Sequence, residues 1–145
     1  MQDILGIIFI VLTVPLVVAQ IITVLNFPLA QKLGLQEKTD NADPLMQHLE
    51  TYTAIWDLPT LIWLPVTGIL MILDHSWWPF FALIGGAIYV DAGGREAAKI
   101  LGLQKAGIAT GSPSEKRLFF LTYLIMLPLG MIAILFALSH MDYIS

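Results

Sequence analysis

No cysteine occurs among the 145 residues, which removes disulfides, thiolate metal sites, iron–sulfur clusters and cysteine nucleophiles together. Charge is scarce too. Only 12% of the residues are Asp, Glu, Lys or Arg against 57% hydrophobic, and the mean hydropathy is +0.79. So much apolar surface exceeds what one soluble domain buries, and it calls for lipid as the solvent. Enzyme motifs are missing as well: there is no HExxH, no GxSxG elbow, and no phosphate-binding glycine loop in the right context.

What remains is a series of apolar runs. A membrane span needs about 20 mostly apolar residues, and four such runs leave room only for short connections, so a single domain is expected. The first predicted helix covers about residues 4–30. It begins Met1-Gln2-Asp3 without a basic leader, and its apolar run is too long for a signal peptide. Leu33 to Gln36 and the polar stretch Glu37 to Asp43 then form a loop. The second helix covers about residues 44–73, with Asp43 placed to cap its first turn and Pro44 at the first helical position, where a missing N–H costs nothing. Asp74-His75-Ser76 turns the chain, and Trp77-Trp78 suit the headgroup boundary. The third helix, about 77–106, is apolar to Val90 and amphipathic beyond it. Ser112-Pro113-Ser114-Glu115 reads as a capping box opening the fourth, about 113–140.

All seven Lys and Arg fall in two segments: Lys32 and Lys38 in one; Arg95, Lys99, Lys105, Lys116 and Arg117 in the other. Basic residues concentrate in cytoplasmic loops, so segments 31–43 and 95–117 are expected in the cytoplasm and both termini outside. The expected fold is an all-α integral membrane protein, an antiparallel four-helix transmembrane bundle in a bacterial inner (plasma) membrane. The halves also resemble each other. Ala30 and LGLQ at Leu33 recur as Ala98 and LGLQ at Leu101; Pro44, Thr53 and Pro59 recur as Pro113, Thr122 and Pro128. Two duplicated helical hairpins would produce this pattern, as would chance identity in a narrow alphabet.

Ionisable groups inside a span cost about 2.5–3.5 kcal/mol at mid-membrane, so each asks for a partner or a purpose. At a helical rise of about 1.5 Å per residue, Gln20, Asp57, Asp91 and Tyr123 fall at one depth on the four helices, in the inner leaflet. Arg95 lies four residues after Asp91 and can pair with it on one helix face. This layer reads either as a hydrophilic pocket open to the cytoplasm, holding a cation, a proton or a lipid-like head, or as a hydrogen-bonded clasp that fixes helix register. The small residues Ala82, Gly85, Gly86, Gly93 and Gly94 read first as packing positions. A sharper reading has Gly93-Gly94 break the helix behind Asp91 and free backbone amides for an anion.

His75 and His140, near Asp74, Met141 and Asp142, are the weak candidates for a copper or zinc site, although neither has a ligand spacing; His48 reads as interfacial. No metal, haem or other cofactor is expected. Three functions stay open. The first is a non-catalytic accessory subunit or self-associating membrane component. The second is a proton or cation transport element that uses Asp57, Asp91 and Arg95. The third is a small membrane enzyme or carrier for a lipophilic ligand, in which Tyr123 or a carboxylate moves a proton. The expected partners are the bilayer and other membrane subunits or a second copy, not nucleic acid.

Overall fold

The computed structural model describes residues 1–141. Their regular structure is helical: α1 (Gln2–Leu25), α2 (Phe27–Lys32), α3 (Pro44–Leu61), α4 (Trp63–Ile72), α5 (Trp78–Lys105) and α6 (Pro113–Met141), with an isolated bridge joining Ala42 to Thr110. Three stretches are long and apolar enough to cross a membrane: Gln2–Leu25, Pro44–Ile72 (α3 with α4) and Pro113–Met141. The 28 residues of α5 are long enough, but Asp91, Arg95, Glu96, Lys99 and Lys105 make its second half polar.

Two predicted helices are interrupted, and proline chemistry explains both breaks. The first does not run unbroken to residue 30. Pro28 has no N–H for the Val24 carbonyl, the chain bends at Asn26, and the Asn26 side chain accepts from the Leu29 amide at 3.0 Å to cap α2. The second is broken at Ile62 because Pro65 cannot donate to the Leu61 carbonyl; the buried Tyr89 hydroxyl donates to that carbonyl instead, at 3.2 Å. The third is not broken where glycines suggest it: α5 passes through Gly93-Gly94 unbroken. Gly93 packs against the Tyr123 carbonyl, whereas Gly94 faces open space.

The helices pack as an open arc. Contacts run from α1 to α4, α4 to α5 and α5 to α6, while the first and last members, α1 and α6, scarcely touch. Two glycine pairs set the closest approaches. A Cβ on Gly68 would lie 2.5 Å from the Gly6 carbonyl oxygen, and one on Gly130 would lie 2.5 Å from that of Gly86. Phe9, Leu61, Leu64, Met71, Tyr89, Met126 and Leu129 fill the interior. Ile4, Val11, Leu121, Leu124 and Leu135 point outward with half or more of their surface free, the distribution expected where lipid is the solvent.

One end of the arc carries the start of α1, the 73–77 turn and the end of α6: Gln2 Nε2 donates to the Met71 carbonyl at 2.8 Å, and the His140 ring meets Trp78 edge-on at 4.9 Å. At the other end the two longer loops are joined. The Asp43 amide donates to the Ala109 carbonyl (2.9 Å) and the Gly111 amide to that of Asn41 (3.0 Å). The capping box forms, with the Ser112 amide donating to Glu115 at 2.6 Å and the Glu115 amide to Ser112 Oγ at 3.3 Å. The same carboxylate accepts from the Lys38 amide and from Asn41 Nδ2, so the cap of α6 also fastens the loop before α3.

Candidate functional site

Above the joined loops, α1, α3, α5 and α6 surround a polar cluster built on two helix faces. On α3, Glu50, Ala54 and Asp57 recur at helical spacing; on α5, Ala92, Glu96 and Lys99 do the same, and the two stripes face each other. Lys99 Nζ lies 2.8 Å from Glu50 Oε1 and also pairs with Glu96, one turn before it. Arg95 reaches three carboxylates: Asp91 at 3.3 Å, Asp57 at 3.5 Å and Glu96 at 3.6 Å. Gln20 Nε2 donates to Asp57 Oδ2 at 3.4 Å. Asp57, Glu50 and Glu96 are buried, whereas Asp91 is exposed.

A cavity of about 270 Å³ opens beside this cluster. Its apolar wall is Pro15, Leu16 and Ala19 of α1 with Leu118, Phe119 and Met126 of α6, so it lies across the gap where these helices fail to meet. Its polar wall includes Gln20, Glu37, Glu50, Asp57 and Glu96. Among the described residues, every buried side-chain oxygen without a hydrogen-bond donor belongs to one of those five. Three of these oxygens, on Glu50, Asp57 and Glu96, face Lys99 or Arg95 in the ion pairs above. Gln20 Oε1 and Glu37 Oε2 have neither a hydrogen bond nor an ion pair. Lone buried acceptors are costly, about 1–3 kcal/mol each, which directs attention to what they accept from.

Glu37 comes from the loop, not from a helix. Gly34 turns the chain with a φ of 74°, Gln36 Nε2 donates to Thr23 Oγ1 at 3.3 Å, and Gln31 Nε2 donates to the Glu37 carbonyl at 2.7 Å. The side chain is thereby drawn under the cavity with 1% of its surface exposed. Gly111 closes behind it; a Cβ there would meet Glu37 Cγ at 2.8 Å, and its φ of 100° suits glycine. Burial, aided by the Glu50 charge, pushes the Glu37 carboxyl up from 4.5 to about 7, with Lys99 pulling down and Glu115 pushing up more weakly.

That shift has a stability consequence. A carboxyl whose pKa is higher in the folded state favours the docked loop at low pH, and this contribution falls as pH rises from 4.5 to about 7. The loss amounts to about 3 kcal/mol at 1.36 kcal/mol per pH unit. Amide hydrogen exchange in residues 33–43, corrected for intrinsic rates, is expected to show protection falling between pH 5 and pH 8. The Glu37→Gln variant should lose this dependence, and an unchanged pH profile in it would remove Glu37 as the cause.

Of the residues singled out by sequence, Gln20, Asp57, Asp91 and Arg95 form one connected network; Tyr123 lines the cavity without a side-chain bond to it. The expected Asp91–Arg95 pair forms, and Arg95 also supplies the partner that Asp57 lacks on its own helix. Sequence reasoning missed Glu37, Glu50, Glu96 and Lys99. His75 and His140 stay at the opposite end of the molecule. His75 Nδ1 accepts from the Trp77 amide, and the His140 ring packs on Phe136 and Trp78. Asp142, suggested as their neighbour, lies outside the described residues. Among those residues, no three His, Asp or Glu groups come together as metal ligands. Comparison of the chain with protein-family models, curated proteins and solved structures finds no match.

Proposed function

We propose that this protein binds an amphiphilic small molecule taken from the bilayer, as a membrane-embedded carrier or the binding site of a small membrane enzyme. The observation that carries the reading is the coincidence of two features in one cavity: unsatisfied buried acceptors on one wall, and an apolar wall at the unclosed seam between α1 and α6. The apolar part of such a molecule would lie in the seam and its head against the carboxylates. The cavity volume, about 270 Å³, sits near the lower edge of small-molecule pockets, room for a head and the start of a chain whose remainder lies among lipids.

The topology supporting this reading is a bundle of four antiparallel spans with α5 as the fourth, both termini outside, and the joined loops on the cytoplasmic side with all seven basic residues near them. The cavity then opens to the inner leaflet. A relay across the whole membrane gains less support, because the charged groups stop at Asp57 and the interior beyond is Leu61, Leu64, Phe9 and Met71. The accessory-subunit reading has no observation in its favour.

The test is purification of the full chain into nanodiscs with its own membrane lipids, followed by mass spectrometry of everything carried along. One small amphiphile should be enriched near stoichiometrically over empty discs. It should be lost in Thr122→Trp, whose indole would fill the cavity. A stoichiometric protein partner with no enriched small molecule would instead favour an accessory subunit.

A further inference from the structure

The chemistry of the head can be read from which charged groups line the cavity and which do not. Glu37, Glu50, Asp57 and Glu96 line it; Arg95 and Lys99 do not. Both cations are committed to carboxylates, Lys99 to Glu50 and Glu96, Arg95 to Asp57, Glu96 and the exposed Asp91. The cavity therefore presents four acidic groups backed by only two cations. It also presents acceptors that no donor meets, above all Glu37 Oε2 on a side chain 1% exposed. An anionic head would meet like charge in a poorly screened setting. A hydroxyl would bring a single O–H donor and no positive charge. A primary ammonium would bring three donors and one positive charge, and the unpaired Glu37 Oε2 and Gln20 Oε1, with the other carboxylates of the wall, would receive them.

We propose that the head this cavity selects is a protonated amine, so that the ligand class is a long-chain cationic amphiphile, with Glu37 as the carboxylate left free for it. This rests on the binding role proposed above. A carboxylate cage for an amine fits both the charge imbalance and the apolar wall, which an inorganic cation would not use.

Titration of the full chain in phosphatidylcholine nanodiscs at pH 8, where Glu37 is largely ionised and a primary amine is still protonated, with empty discs as the blank, separates the two proposals. The probes are tetradecylamine, tetradecanol and tetradecyl sulfate. The expected result is saturable binding of the amine to one site per chain, at least tenfold tighter than the alcohol, with no saturable binding of the sulfate. Glu37→Gln should weaken the amine about tenfold and change the alcohol less than twofold, and Thr122→Trp should abolish both. Equal amine and alcohol affinities, both lost in Thr122→Trp, would overturn the amine head and leave the amphiphile site standing. Identical non-saturable uptake of all three, unaffected by Thr122→Trp, would overturn the site itself. The comparison of three probes on the wild-type chain decides the head class even where a variant fails to fold.

Discussion

Replacing Lys99 with methionine should cost about 3–5 kcal/mol, the usual penalty for removing one partner of a buried ion pair. Lys99 is the cation shared by Glu50 and Glu96, and both carboxylates are buried between α3 and α5. Methionine keeps the length and the apolar stem but no charge, so the packing changes little, Glu50 loses its cation and Glu96 is left with Arg95 alone in a poorly screened site. Thermal melting in mild detergent at pH 7.5 should fall sharply in Lys99→Met, and most of the loss should return when Glu50→Gln and Glu96→Gln are added. If Lys99→Met melts like the wild type, the cluster is wetted and the pairs are weak. If the triple variant is as unstable as the single one, the loss comes from packing and not from charge.

The second large effect is expected at the glycine contact between α5 and α6. A side chain on Gly130 would start 2.5 Å from the Gly86 carbonyl oxygen and 3.0 Å from the Val90 amide nitrogen. Both obstacles are backbone, so neither moves aside without moving a helix. Overpacking of a core costs about 1–3 kcal/mol where side chains can adjust, and a backbone collision belongs at or above the top of that range. Gly130→Leu should therefore separate α5 from α6 and lose folded protein in detergent. Gly94→Leu is the matched control: nothing stands within 4 Å of its added Cβ, and leucine is the better helix former. Equal stability of the two variants would show that α5 and α6 do not approach as closely as described.

Much of the helical layout was legible because its signals are local. Asp43-Pro44 and Ser112-Pro113-Ser114-Glu115 announce helix starts through capping chemistry, and Asp91 and Arg95 announce a pair through i,i+4 spacing. Pro65 signals a kink inside the second span, whereas the bend at Asn26 and the partner of the freed Leu61 carbonyl are harder to see. A membrane helix tolerates proline when a neighbour satisfies the freed carbonyl, and the neighbour at Leu61 is Tyr89, 28 residues away.

Gln20, Asp57 and Asp91 stood out as polar groups in apolar surroundings. Glu50, Glu96 and Lys99 did not, because each lies in a stretch polar enough to pass for a solvated helix end. A usable signal was present: Glu50 and Asp57, and Ala92, Glu96 and Lys99, recur at the spacing of one helix face. Glu37 had no such signal. Its burial depends on how the loop of residues 33–43 folds against Gly111 and Glu115, more than 70 residues away, and no local pattern encodes that contact.

On this reading an amphiphile with an amine head occupies the cavity at the α1–α6 seam. The most direct measurement is photolabelling of the full chain in nanodiscs with a long-chain amine bearing a diazirine on its alkyl chain, with the adducts mapped by peptide mass spectrometry. Saturable labelling of residues 15–20 and 118–126, removed by excess tetradecylamine, is the expected result. Non-saturable labelling spread over the outward-facing Ile7, Val11 and Leu135, with no excess at the seam, would show that no such molecule is held there.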